Sequence, residues 1–361
     1  MSTTVDSSHD VPYPVVDEQL GEKLQPDEAR LVTEMANVIE QGIRKQYQPG
    51  EFKRDVHARS TGVLRAVFKV NENIPGQFAH GVFIPGKSYE AIVRLSNGSG
   101  EASTSDNHPD TRGFAFKLLG VLGEKILESD KHAQTQDFVM INHPMFVTNM
   151  ADKYLALVTK NQGSVLQKAT IPFILGLKGT INAGILTSGK ISNPLQVQYF
   201  SAVPYQLGLG PERLAIKFSI KPVSSAVDPF PTKAGDHFLH EAVKASLNKG
   251  PVEYRFLLQP RKGPHMDVED SMREWSEKES PFVEVATLTI LQQDVDDEEL
   301  NKLGERLSFN PWHALPEHRP LGSINRMRKI VYERISRVRD TMNGVQREEP
   351  TSIPQPGPSR A

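Results

Sequence analysis

The 361 residues include no cysteine. Disulfide frameworks, zinc–thiolate sites, iron–sulfur clusters and thiol nucleophiles are therefore excluded together. A charge surplus is also missing: 42 basic side chains stand against 44 acidic ones, for a net charge of −2. A general nucleic-acid binder needs a basic excess for phosphate contacts, so no nucleic-acid partner is expected. The first 19 residues are polar and acidic and lack the basic start and apolar run of a signal peptide. No long uninterrupted apolar run is present either. The most apolar window, Ile171 to Thr187, is broken by Lys178, Asn182 and three glycines, which argues against a stable membrane span. A cytoplasmic location is the corresponding expectation. No G-x-G-x-x-G follows a strand-like run, and Asn97-Gly98-Ser99-Gly100 lacks the spacing of a hydrolase elbow.

What is present is a chain able to bury a core, with 38% hydrophobic and 24% charged residues. Residues 1–25 read as a flexible arm. The stretch from Gln346, rich in proline and charge, reads as a disordered tail (346–361), leaving 26–345 as a single domain. Helices are expected over Pro26 to Gln46, Met150 to Thr187, His237 to Asn248, Asp297 to Leu307 and Leu321 to Asn343. Short runs bounded by Gly, Pro, Asn or Asp read as strands. These are Arg59 to Val70, Glu90 to Asn97, Gly113 to Leu119, Asp137 to Asn142, Arg213 to Val223, Pro251 to Pro260 and Phe282 to Gln292. Two sets of antiparallel-looking strands with helices between and after them predict an α+β fold around a barrel or large curved sheet.

The last helix carries an unusual stripe. At 100° per residue, Ile324, Met327, Val331, Ile335, Val338 and Met342 share one narrow apolar face. Beside it lie only Arg328, Tyr332 and Arg339. One reading is a core-edge tyrosine with arginines extended along the surface. The other is a tyrosinate favoured by the guanidinium one turn away. A phenolate is a hard anionic ligand suited to ferric iron and is a known haem ligand. Two further stretches fit such a pocket: Arg54-Asp55-Val56-His57-Ala58 leading into a strand, and Asn142-His143-Pro144 following one. Arg94 within an apolar strand would be costly without a partner.

Taken in order, these segments resemble the catalase-like haem protein superfamily. Arg54–Ala58 is similar to its distal-histidine segment. Val93–Ser96 with Asp110–Leu118 is similar to its VRFS…DPRGFAVKF region, and Ile141–Phe146 to the segment carrying its distal asparagine. Arg328-x-x-x-Tyr332 with Arg339 resembles its proximal signature. The resemblance spans roughly residues 50–345. It implies a catalase-like antiparallel β-barrel with helical insertions and a C-terminal haem-ligating helix, with haem b as cofactor. It also implies Tyr332 as the iron ligand held by Arg328, and His57 and Asn142 as catalytic residues. Ser96 would support His57, and Arg54, Arg94 and Arg339 would pair with the haem propionates. Val56 matches catalases, whereas related coral allene oxide synthases carry threonine there. The expected activity is that of a haem peroxidase or catalase on hydrogen peroxide or organic hydroperoxides. Its partners would be a peroxide and a reductant not identified by the sequence, with a homodimer left open. The alternatives are a fatty-acid hydroperoxide isomerase and a haem-binding protein without turnover. The chain departs from the pattern in being short, in placing Glu333-Arg334 after the tyrosine and in placing His143 after the asparagine. The acids Asp294 to Glu299 read as a helix start, and Asp106 to Asp110 as a turn.

Overall fold

The computed structural model describes residues 11–355. Nine strands form one antiparallel sheet: β1 Ser60–Val70, β2 Ser88–Asn97, β3 Arg112–Leu119, β4 Thr135–Ile141, β5 Tyr199–Phe200, β6 Tyr205–Leu207, β7 Leu214–Pro222, β8 Val252–Pro260 and β9 Val283–Ile290. The order is β5-β4-β3-β2-β1-β9-β8-β7-β6, and β5 also pairs with β7. β5 lies against Ser219 and Ile220 while β6 lies against Leu214 to Ile216, so the two run end to end along one edge of β7. The sheet thereby closes into a barrel with eight strand positions, and no long edge is left open.

The barrel interior is solid. Phe116 and Phe138 stack at 4.8 Å between ring centroids, and Phe68, Phe218 and Phe256 pack around them at 5.3–6.4 Å. Strand residues alternate between faces. With Phe114, Phe116 and Phe138 turned inward, Gly113, Ala115 and Val139 turn outward. Register continues this face across the wall, pairing Arg94 with Ala115 and Ala115 with Val139. Any ligand space must therefore lie outside the wall and not within the barrel.

The helices cover that outside: α1 Glu28–Gln46, α2 Ala151–Asn161, α3 Val165–Lys168, α4 Ile171–Ser188, α5 Phe238–Lys249, α6 Glu298–Arg306 and α7 Ser323–Met342. In α1, Val32, Met35, Ala36, Ile39 and Ile43 are buried at helical spacing and pack towards α2 and α7. Asp297 caps α6 by accepting from the Leu300 N–H at 3.0 Å, as the acid run predicts. Asp106 closes its turn, accepting from Asn97 Nδ2 at 2.7 Å and from the Leu239 N–H at 2.9 Å.

Both ends of the described chain pack on the body. Val11 and Tyr13 sit at the core margin, and Glu22 is buried against Arg326 at 2.9 Å. Beyond Gln346, Arg347 meets Asp130 at 2.6 Å, Glu349 meets Lys117 at 2.7 Å, and Ile353 is buried. Residues 11–25 and 346–355 thus make ordered contacts where composition argued for an arm and a tail. Their charges have buried partners of opposite sign, which composition cannot show. The remainder of each expected segment lies outside the described residues.

Candidate active site between the barrel wall and the last helix

A cavity of about 850 Å³, counting its open mouth, lies between the outer face of β2–β4 and α7. The segment before β1 contributes Arg54, Asp55, Val56 and His57. The wall contributes Arg94, Ser96, Gly113, Ala115 and Val139. The 308–310 loop contributes Ser308, Phe309 and Asn310, and α7 contributes Val331, Tyr332, Ile335 and Arg339. Residues some 275 positions apart in sequence therefore share one space.

His57 occupies the left-handed region, with φ 56°. This conformation is uncommon for a residue with a Cβ. Two backbone bonds hold it, from the His57 N–H to the Gly98 carbonyl and from the Ala58 N–H to the Ser99 carbonyl, each 3.1 Å. Its Nδ1 lies 3.0 Å from Ser96 Oγ. That commitment leaves Nε2 for a ligand. Burial, reinforced by Arg94, Arg328 and Arg54, lowers its pKa to about 4, so the ring is neutral at neutral pH. Gly113 makes the His57–Ser96 pair possible: a Cβ there would come within 2.6 Å of both His57 Nδ1 and Ser96 Oγ. Beside them burial raises the Asp55 carboxyl pKa to about 6.

Three arginines gather at one end. Arg54 donates to the carbonyls of Gly304 (2.8 Å) and Leu307 (2.6 Å). Arg339 donates to those of Arg306 (2.9 Å) and Leu307 (3.2 Å), so both satisfy the open carbonyls at the end of α6. Arg94 donates to the Ala58 carbonyl at 3.2 Å. Their acidic partners are few. Glu305 stands 3.8 Å from Arg54 and from Arg94, and Asp340 stands 3.2 Å from Arg339. Burial and mutual repulsion lower the pKa of Arg54, and that of Arg94 falls to about 10. The buried Nε of Arg94 has no hydrogen-bond partner, and neither has Nδ2 of the cavity-lining Asn310. Two orphaned donors and surplus positive charge describe a site suited to a ligand bearing carboxylates.

Tyr332 lines the cavity from α7 and is half-buried. The Arg328 guanidinium lies 6.0 Å from its ring centroid and 5.0 Å from that of Phe146, and it bonds Asn325 Oδ1 at 3.3 Å. Arg328 is buried but is not among the cavity-lining side chains. Asn142 stands apart as well. Its Oδ1 accepts from the Arg112 N–H at 2.7 Å, and its Nδ2 faces His143 Nε2 at 3.3 Å. Of the nine residues expected from sequence, seven line the cavity: Arg54, Val56, His57, Arg94, Ser96, Tyr332 and Arg339. Gly113 and Asn310 went unread, because only strand register and loop return bring them in.

A family model described as catalase matches residues 32–167, which hold His57, Arg94, Ser96 and Asn142 but stop well short of Tyr332. No curated protein matches the chain. Among solved structures, a fungal catalase superposes with TM-score 0.66 at 16% identity, covering 93% of this chain and 68% of that one. The chain has a catalase-like fold. A bacterial catalase (TM-score 0.64, 16% identity) covers 100% of this chain and 73% of its own. Catalase A from Saccharomyces cerevisiae (0.61, 16%) covers 94% and 69%. The likeness in fold covers nearly the whole chain, at an identity of 16%.

Proposed function

We propose that the chain is a haem-dependent oxidoreductase of catalase-like type acting on hydrogen peroxide or organic hydroperoxides. The observation that carries this reading is one cavity holding a neutral histidine fixed by a serine, a tyrosine from the last helix, and a cluster of under-paired arginines. The donor set fits haem b. Tyr332 would supply the anionic oxygen ligand, and Arg54, Arg94 and Arg339 would receive the propionates. When bound, haem supplies the redox chemistry of the peroxide O–O bond. The chain's own work is with protons. Because His57 is neutral, its Nε2 can accept the proton of the proximal peroxide oxygen and return it to the departing one. Ser96 holds the ring in that orientation. Asn142 keeps an Nδ2 donor while its Oδ1 is held by the Arg112 N–H, but it does not line the cavity, so His57 carries more of the task. The apolar walls, Val139, Met140, Val331 and Ile335, favour organic hydroperoxides among the substrates.

The test is peroxide turnover by the haem-loaded protein with a supplied reductant, comparing wild type with His57→Gln. The variant is expected to keep its haem and lose about 10²–10⁴-fold in turnover. Equal turnover would refute the role of His57. Consumption of a fatty-acid hydroperoxide without reductant would instead support the isomerase reading.

A further inference from the structure

Most strongly exposed apolar side chains, such as Val15, Leu122 and Val227, stand singly on loops, which is ordinary. Those of α4 do not. Phe173, Leu177, Ile181 and Ile185 recur every four residues, with Phe173 88% and Leu177 80% exposed, and Leu166 of α3 is 82% exposed. After the break at Gly176, Leu177, Ile181 and Ile185 fall within about 80° of the helix circumference, and Phe173 stands exposed on the segment before it. The opposite side, Leu175, Gly179, Asn182 and Leu186, is buried. That side is fixed to the protein. Asn182 Nδ2 donates to the Phe146 carbonyl at 2.9 Å, and a Cβ on Gly179 would come within 2.7 Å of the Val147 carbonyl. Rotation of α4 cannot hide its apolar stripe.

The charge carried by this segment is one-sided, although Asp270 from another loop pairs with Lys178 at 3.4 Å. From Lys153 to Pro211 the chain has five lysines and no acid, although the whole protein is slightly negative. Lys153, Lys168, Lys178 and Lys190 are exposed. We propose that α3 and α4 form a docking surface for an anionic lipid membrane. Phe173 and Leu177 enter the acyl boundary, and the lysines face the headgroup phosphates. The helix does not span. Its 18 residues would reach about 27 Å if straight, short of the hydrocarbon core of about 30 Å. Gly176 also breaks it, at φ 67°. A second copy fits this face less well. A two-fold contact centred on the stripe would oppose two sets of lysines, of which only Lys178 has an acid beside it, Asp270 at 3.4 Å.

The experiment is co-sedimentation of the full chain with vesicles of phosphatidylcholine alone and with about one-third phosphatidylglycerol added. Wild type is expected to bind the anionic vesicles, and to bind them less as salt rises. Phe173→Ser with Leu177→Ser should lose about tenfold or more in binding, with melting temperature and circular dichroism unchanged, because both side chains are exposed. Lys153→Glu with Lys168→Glu should erase the preference for anionic vesicles. Absence of wild-type binding, or equal binding by the serine variant, overturns the proposal. So does a wild-type dimer in solution that the serine variant breaks, which would assign the face to a second copy. The readout is binding and not turnover, so this surface stands or falls separately from the haem reading.

Discussion

Helix α7 carries two buried arginine sites that differ in one respect. Arg326, near its start, is fully buried among Glu22, Glu28 and Glu269, with charged hydrogen bonds of 2.7–3.1 Å to all three. Its guanidinium is held even more firmly charged than usual, chiefly because the bonds to Glu28 and Glu269 outweigh burial. Arg339, near the other end, shares its neighbourhood with Arg54 and Arg94, and acids approach only at 3.2–3.8 Å. The first site ties the N-terminal segment, α1 and the 269 loop to α7. The second is left with charge to spare. The two sites thus differ in charge balance: Arg326 is outnumbered by its carboxylates, whereas Arg54, Arg94 and Arg339 share only Glu305 and Asp340, and Arg94 keeps an unbonded Nε.

The contrast is sharpest under substitution. Arg326→Leu strands three carboxylates and should cost about 3–5 kcal/mol of stability by denaturant unfolding, or prevent folding. Arg94→Leu removes one member of a repelling set that already has an orphaned Nε. Its stability should stay within about 1 kcal/mol of wild type while affinity for haem falls, measured by haem titration. If both variants lost equal stability, the distinction between the two sites would be lost. Gly113→Ala should be intermediate, costing about 1–3 kcal/mol by crowding His57 and Ser96, and it should lower peroxide turnover while leaving haem binding largely intact. A further effect is with pH. The native His57 pKa lies near 4, below the 6.5 of an unperturbed histidine, so the unfolded chain takes up a proton first. Its contribution to stability is complete above about pH 6.5 and is lost as pH falls towards 4. His57→Gln should therefore flatten the decline in stability between pH 7 and pH 5, measured by chemical unfolding.

Much of this was legible in the chain. Seven of the barrel's strands show apolar alternation or a bounded apolar run, and α1 and α7 show a helical period. The stripe on α7 placed Tyr332 beside the apolar face, where it meets the cavity. β5 and β6, with two and three residues, are too short to show any period. Gly113 reads as an ordinary strand glycine until register sets it under His57. Asn310 sits in a Pro-Trp loop whose return to the wall has no local signal. Asn142 shows the converse. Its sequence position was readable, but the backbone N–H that engages it comes from Arg112, 30 residues away. The packed ends were missed because composition counts charges and not their partners.

The central claim is that Tyr332 and the arginine-lined cavity bind haem through a tyrosinate. The most direct measurement is the absorption spectrum of the haem-loaded protein beside Tyr332→Phe. The account predicts a ferric tyrosinate spectrum in the wild type that is lost or altered in the variant, with folding retained. A wild type that takes up no haem, or a variant with an unchanged spectrum, would contradict it.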